Sequence, residues 1–174
     1  GVSSAASDVY KRQVRGSRAV LEAEAGCFQR WGLKVGDALV VRGDGDPPRF
    51  VALTGEQAEK LDGLAEVVRS ELEAVGAGNL AVVTTVSQAA DVEDALERAG
   101  IAYGRPTRQG LDAQVAVVPV GLVKGLEVDG AVVVEPARML REHAQGMRAL
   151  YVALTRATRR VAIIHTEPLP RVLE

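Results

Sequence analysis

Residues 80–100, LAVVTTVSQAADVEDALERAG, decide the fold class. The first seven, from Leu80 to Val86, are an apolar, β-branched run of strand length, and its continuity implies burial on both faces. Ser87 then reads as a helix N-cap, with Val92, Leu96 and Ala99 at helical spacing before Gly100 ends the helix. A doubly buried strand that feeds an amphipathic helix is the repeating unit of a parallel sheet with right-handed crossovers.

The same alternation extends in both directions. Upstream, 49–53 reads as a strand, and Thr54 as the N-cap of a helix carrying Leu61, Leu64, Val68, Leu72 and Val75 inward, with Gly76 and Gly78 ending it. Downstream come a short strand near Ile101 and strands at 114–120 (QVAVVPV), 130–135 (GAVVVE) and 160–165 (RVAIIH). A helix at about 146–158 presents Met147, Leu150, Tyr151 and Leu154 on one face. The expectation is a three-layer α/β fold with a mainly parallel sheet over residues 49–174. Residues 1–18 lack either periodicity and read as a flexible, non-native-looking tail, and 19–48 as a short irregular lead-in with a helix at 20–31 and a strand at 38–41.

Composition bounds the function. Of 174 residues, 47% are apolar and 25% charged, with 21 bases against 23 acids, so a uniformly basic surface is excluded and only local patches remain. Ten acids face three bases over 53–99, whereas 136–160 holds six arginines and one acid, Glu142. One end of the sheet is therefore basic. No apolar run reaches the roughly 18 residues of a membrane span, and no secretory signal is seen, so a cytoplasmic protein without membrane contact is expected. The single cysteine, Cys27, and the distant His143 and His165 have no zinc-ligand spacing, so no metal site is expected. None of the four lysines follows a glycine, which excludes the phosphate-cradling G-x-x-x-x-G-K-[ST] loop.

Several patterns point to nothing. Residues 76–81 fit G-x-G-x-x-[GA], but they follow a helix and open a strand, the reverse of a dinucleotide fingerprint. Asp91, Glu93, Asp94 and Glu97 occupy the solvated face of their helix, and both histidines read as structural or surface residues.

Two segments stand out. Residues 120–130, VGLVKGLEVDG, leave one buried strand and enter the next; Gly125 permits close backbone approach to a ligand, and Glu127 offers a carboxylate to ribose hydroxyls. Residues 150–160, LYVALTRATRR, form a helix that ends in arginines and feeds the terminal strand. Arg159 and Arg160 read as helix-dipole partners. Arg156 stands before the sheet edge where α/β proteins bind ligands, and its planar charge suits a phosphate.

Together, KGLE and YVALTRA in this order around a buried strand resemble two signatures of the second RecA-like domain of UvrD/Rep-type superfamily one helicases. The resemblance is dense over 115–170. Within that superfamily, the long GLVKGLEVDGAVVVEPARML and YVALTRATRRVAIIHTEPLP stretches look most like the HelD-like motor ATPases that act on bacterial RNA polymerase.

The resemblance implies ATP bound between this domain and a first RecA-like domain, which would hold the magnesium. Gly125 and Glu127 would border the nucleotide, with Lys124 at the junction of nucleotide and polymer paths. Arg156 would be the arginine finger and Thr155 would fix its backbone. Arg138, Arg141 and Arg148 would meet nucleic acid or the other domain. Helicases of this kind often carry a histidine at the position of Gly121, and its loss here favours the HelD-like reading over strand unwinding. The expected partners are the first motor domain and either RNA polymerase or single-stranded DNA. A DNA-unwinding helicase fragment and a non-catalytic binding module remain the alternatives. Without a phosphate loop, this chain alone is expected to be inactive.

Overall fold

In the computed structural model, residues 48–55, 61–107 and 110–174 are described. The tail at 1–18 and the helix and strand expected within 19–48 lie outside them. Strand β1 (Arg49–Ala52) leads to helix α1 (Asp62–Val75), strand β2 (Leu80–Thr84) and helix α2 (Ala89–Arg98). A two-strand hairpin, β3 (Pro106–Thr107) and β4 (Gly110–Leu111), precedes β5 (Val115–Pro119). A 3-10 turn (Val120–Leu122), β6 (Val128–Val134), α3 (Pro136–Glu142), α4 (Gly146–Arg156) and β7 (Ala157–His165) complete the core.

Five strands form one wholly parallel sheet in the order β1-β7-β6-β2-β5. Alternate side chains go to opposite faces. Leu80, Val82, Val132, Val134 and Ile164 meet Leu64, Val68, Val92 and Leu96 of α1 and α2. Ala81, Val83, Val118, Val133 and Ile163 meet Met139, Leu150, Ala153 and Leu154 of α3 and α4. This is the expected three-layer α/β fold, and every residue of β2 is buried.

The differences are local. α1 begins at Asp62 after Leu61, whose φ is 52° and whose side chain caps nothing, so Thr54 is not its N-cap. α2 begins after Gln88, and the Ser87 hydroxyl instead meets Thr85 Oγ1 and Glu142. Ile101 is not in a strand; only Gly104 makes an isolated bridge to β5. α4 stops at Arg156, two residues early, because β7 pairs with β6 from Ala157 onward. Helix α3 was not expected. The 76–79 turn is structural, since Gly76 ends α1 at φ 65° and a Cβ on Gly78 would lie 2.6 Å from Asp129 Oδ2. Asn79 and Asp129 exchange two 3.0 Å hydrogen bonds there, joining the starts of β2 and β6.

Candidate functional site

The connection from β5 to β6 must carry the chain from the carboxyl edge of the sheet back to its amino edge, because both strands are parallel. It does so without a full helix, passing alongside α4, which likewise runs from the carboxyl edge to the amino edge. The two singled-out segments are therefore neighbours along their length. Gly125 sits at φ 90°, and a Cβ there would meet nothing within 4 Å, so the turn itself demands glycine.

At the amino edge, Val128 pairs with Ala157. Glu127 and Arg156 are the residues immediately before this pair, so they begin adjoining strands, about 5 Å apart in backbone. Glu127 is exposed and Arg156 half-buried. The Arg156 Nε is enclosed with no hydrogen-bond partner, and among the described residues no carboxylate pairs with this guanidinium. Its placement corrects one expectation. α4 precedes β7, so its last residue necessarily reaches the amino edge, not the carboxyl edge where single α/β domains seat their ligands. The Thr155 hydroxyl donates to Tyr151 O and Val152 O at 3.0 and 3.2 Å, which ties down the last turn and leaves it no donor for a ligand.

The neighbouring arginines are occupied. Arg159 donates to Val75 O at 3.0 Å and Ala74 O at 3.5 Å, so it serves the C-terminus of α1 and not that of its own helix. Arg160 Nε meets Glu71 Oε2 at 2.7 Å, and Arg49 Nη1 approaches the other oxygen at 3.4 Å. Glu71 is only 1% exposed, so these charges fasten α1 to β1 and β7.

A second locus lies at the other end of α4. A cleft of about 200 Å³ is lined by Gly121, Lys124, His143, Gln145 and Arg148, with Val120, Ala149 and Val152 as its apolar wall. Arg148 and Arg156 are eight residues apart on one helix, about 12 Å along its axis. Lys124 thus stands in the cleft and not beside Arg156. The structure also separates the three arginines expected to meet a partner. Arg138 pairs with Glu142 at 3.4 Å, and Arg141 holds Glu167 through 2.5 and 2.8 Å hydrogen bonds, while Arg148 is exposed in the cleft without an ion-pair partner among the described residues. Arg141 pulls the Glu167 carboxyl below its ordinary range by direct hydrogen bonding, and the arginine is raised in turn.

His143 is the residue that sequence reasoning undervalued. Its Nε2 stands 3.5 Å from where a Cβ on residue 121 would be, so it occupies the space beside Gly121. No local pattern connects positions 121 and 143. Pro136 at the first helical position was the one available signal for α3, whose end delivers His143. Among the described residues, no three of His, Cys, Asp and Glu converge on a metal position, and no helix is long and apolar enough to cross a membrane.

Comparison with known proteins bears on the fold. Residues 114–164 match the model of the UvrD-like helicase C-terminal domain, a span that runs from the start of β5 into β7 and includes both loci. No curated protein matches the chain. The C-terminal domain of a possible DNA helicase from Lactobacillus plantarum WCFS1 is similar at TM-score 0.59 and 21% identity, over 74% of this chain and 80% of that one. The Hef helicase domain of Pyrococcus furiosus has TM-score 0.46 and 22% identity, over 64% of this chain and 26% of its own. The SWI2/SNF2 ATPase core of Sulfolobus solfataricus, solved with dsDNA, has TM-score 0.48 and 12% identity, over 69% and 28%. This chain spans little more than a quarter of the last two. It carries a three-layer fold consistent with a RecA-like P-loop NTPase domain, and within it a segment matching the UvrD-like helicase C-terminal domain.

Proposed function

We propose that this chain is part of an ATP-dependent superfamily one helicase or translocase and forms most of its second RecA-like domain. Arg156 serves as the arginine finger toward ATP held by a first motor domain, which also holds the magnesium. The observation that carries this reading is the Arg156 Nε, enclosed without a partner beside Glu127 at the amino edge. Burying a donor unpaired costs about 1–3 kcal/mol, a cost the fold tolerates if the guanidinium is kept for an incoming anion. Glu127, exposed on the adjoining strand, receives the ribose hydroxyls, and Gly125 sets the turn that brings it there. An arginine finger contributes about 10³ to 10⁵ in rate. Closure and opening of the cleft between the two domains then does work on a partner.

The fuller form of this proposal is a HelD-like ATPase acting on RNA polymerase, for which the sequence form of 121–140 and 150–170 speaks. A specific observation favours the DNA-unwinding alternative: His143 occupies the space beside Gly121, so the missing side chain at 121 no longer argues against contact with a strand. Retention of the RNA polymerase core by the immobilised chain separates these two readings. The motor reading is tested by supplying a UvrD-type first domain in trans. ATP turnover should appear only with both parts and fall at least a hundredfold in Arg156→Ala. Turnover by this chain alone, or unchanged turnover in the variant, would overturn it.

A further inference from the structure

From Gly130 to Val134, β6 keeps one register with β7, Gly130 opposite Arg160 and Val134 opposite Ile164. Val128, however, pairs with Ala157, so β7 takes three steps where β6 takes two. The extra residue falls at Thr158 and Arg159, opposite Asp129, and is a β-bulge. Successive strand residues normally point to opposite faces. Here Arg159 donates to Val75 O and Ala74 O, and the next residue, Arg160, to Glu71, so both reach α1. The effect at the amino edge is larger. Continued without the bulge, the register of 130–134 would set Val128 opposite Thr158 and Leu126 opposite Arg156. The bulge shifts β7 by one residue, about 3.3 Å, and Arg156 stands opposite Glu127 instead. It is fastened from both strands. Arg159 grips the end of α1 on one side; on the other, Asn79 and Asp129 exchange their two 3.0 Å hydrogen bonds. The Asp129 N–H therefore goes to the Asn79 side chain and not to β7, and the Gly130 N–H also donates to Asn79, through its carbonyl at 3.1 Å.

We propose that this bulge sets the phosphate-directed arginine against the ribose-directed carboxylate, and that Arg159 and the Asn79–Asp129 pair are positioning residues for the ATP site. The role at ATP rests on the motor reading above; the register itself does not. Arg159 acts through Arg156, by fixing where β7 begins. Without its grip on α1, Thr158 and Arg159 relax into a regular ladder, and Arg156 moves back opposite the apolar Leu126. Glu127 belongs to the other strand and keeps its place. Such a shift has a distinctive signature. Ground-state binding of ATP survives, whereas stabilisation of the transition state by the guanidinium is lost, so kcat falls and KM does not change.

Two measurements on the full chain test this. In NMR spectra of the isotope-labelled protein, the cross-strand nuclear Overhauser contacts of Val128 should run to Ala157 in wild type and in Arg159→Lys, which keeps a donor for Val75 O. They should move to Thr158 in Arg159→Met and in Asn79→Ala. With a UvrD-type first domain supplied in trans, Arg159→Met should lose about a hundredfold in kcat at unchanged KM for ATP, and Arg159→Lys should recover most of it. Arg105→Met, which removes an exposed ion pair with Glu93 on another element, should change neither reading. Thermal melts establish that the variants are folded, and if Arg159→Met does not fold, Asn79→Ala reads the same register from β6. Val128 contacts that stay at Ala157 would overturn the anchoring. Shifted contacts with unchanged kcat, or kcat and KM disturbed together, would overturn the positioning role. Absence of turnover in wild type overturns the motor reading, and with it the role at ATP, while the Val128 contacts still decide which residues hold the register.

Discussion

Replacing Arg156 by methionine should make the domain more stable while removing its contribution to turnover. The Nε is enclosed without a partner, and relieving one orphaned donor returns about 1–3 kcal/mol. The guanidinium also stands at the C-terminus of α4, where a cation contributes about 0.3–1 kcal/mol through the helix dipole, so that part is lost. Methionine retains an unbranched stem against the half-buried surroundings, so little packing changes. The balance is a gain of about 1 kcal/mol. For a chain of this size that is about 2–4 °C in melting temperature, well within the resolution of calorimetry. The same variant, combined with a first motor domain, should lose at least a hundredfold in ATP turnover. A melting temperature lowered by several degrees would show that Arg156 holds the fold together, and the reasoning that it is kept for an external phosphate would fail.

The remaining predictions concern the frame around the site. Arg160→Met leaves the buried Glu71 carboxylate with only the 3.4 Å contact from Arg49, and should cost about 3–5 kcal/mol by urea unfolding. Glu71→Leu should cost less, because both arginines retain access to water; equal costs would show that the ion pair is not the source of the effect. Gly125→Ala should cost about 1–2 kcal/mol in the same assay without any steric clash, since the turn requires φ 90°. Arg141 lowers the folded-state Glu167 carboxyl, so its contribution is present above the unfolded value and lost as pH falls through the folded one. The melting-temperature gap between wild type and Glu167→Gln should accordingly close in acid, and a gap constant down to pH 2 would refute the pairing. Tyr103, hydrogen-bonded to Glu97 at 2.7 Å, has its hydroxyl pushed up to about 12, so the wild type minus Tyr103→Phe difference absorbance should show no phenolate at pH 10.5.

What could be read from the sequence depended on how far apart the interacting residues lie. Burial of β2 on both faces was legible because Leu80, Ala81, Val82 and Val83 are consecutive and all apolar. The inward faces of α1 and α2 were legible because Leu64, Val68, Val92 and Leu96 recur at helical spacing. Helix α3 was not, since seven residues carry fewer than two full turns of periodicity and only Pro136 marks the start. The caps failed for a related reason. Ser87 has the right chemistry for an N-cap, but a long-range partner, Glu142, competes for its hydroxyl.

The site divides along the same line. KGLE and YVALTRA were visible as words, but no local rule places Glu127 and Arg156 side by side; that follows from β6 and β7 pairing in parallel from Val128 and Ala157 onward. Nor does sequence show which group each arginine meets: Arg160, read as a helix-dipole partner, instead pairs with the buried Glu71. Arg138, Arg141, Arg148, Arg156, Arg159 and Arg160 are equivalent as letters and differ only in what the fold sets opposite them. Carboxylates take Arg138, Arg141 and Arg160, and helix carbonyls take Arg159. The two remaining, Arg156 and Arg148, stand at opposite ends of one helix that is rigidly seated in the core through Leu150, Ala153 and Leu154. One short helix therefore sets the spacing between the two guanidiniums that the fold leaves without a carboxylate or a helix carbonyl among the described residues, about 12 Å along its axis.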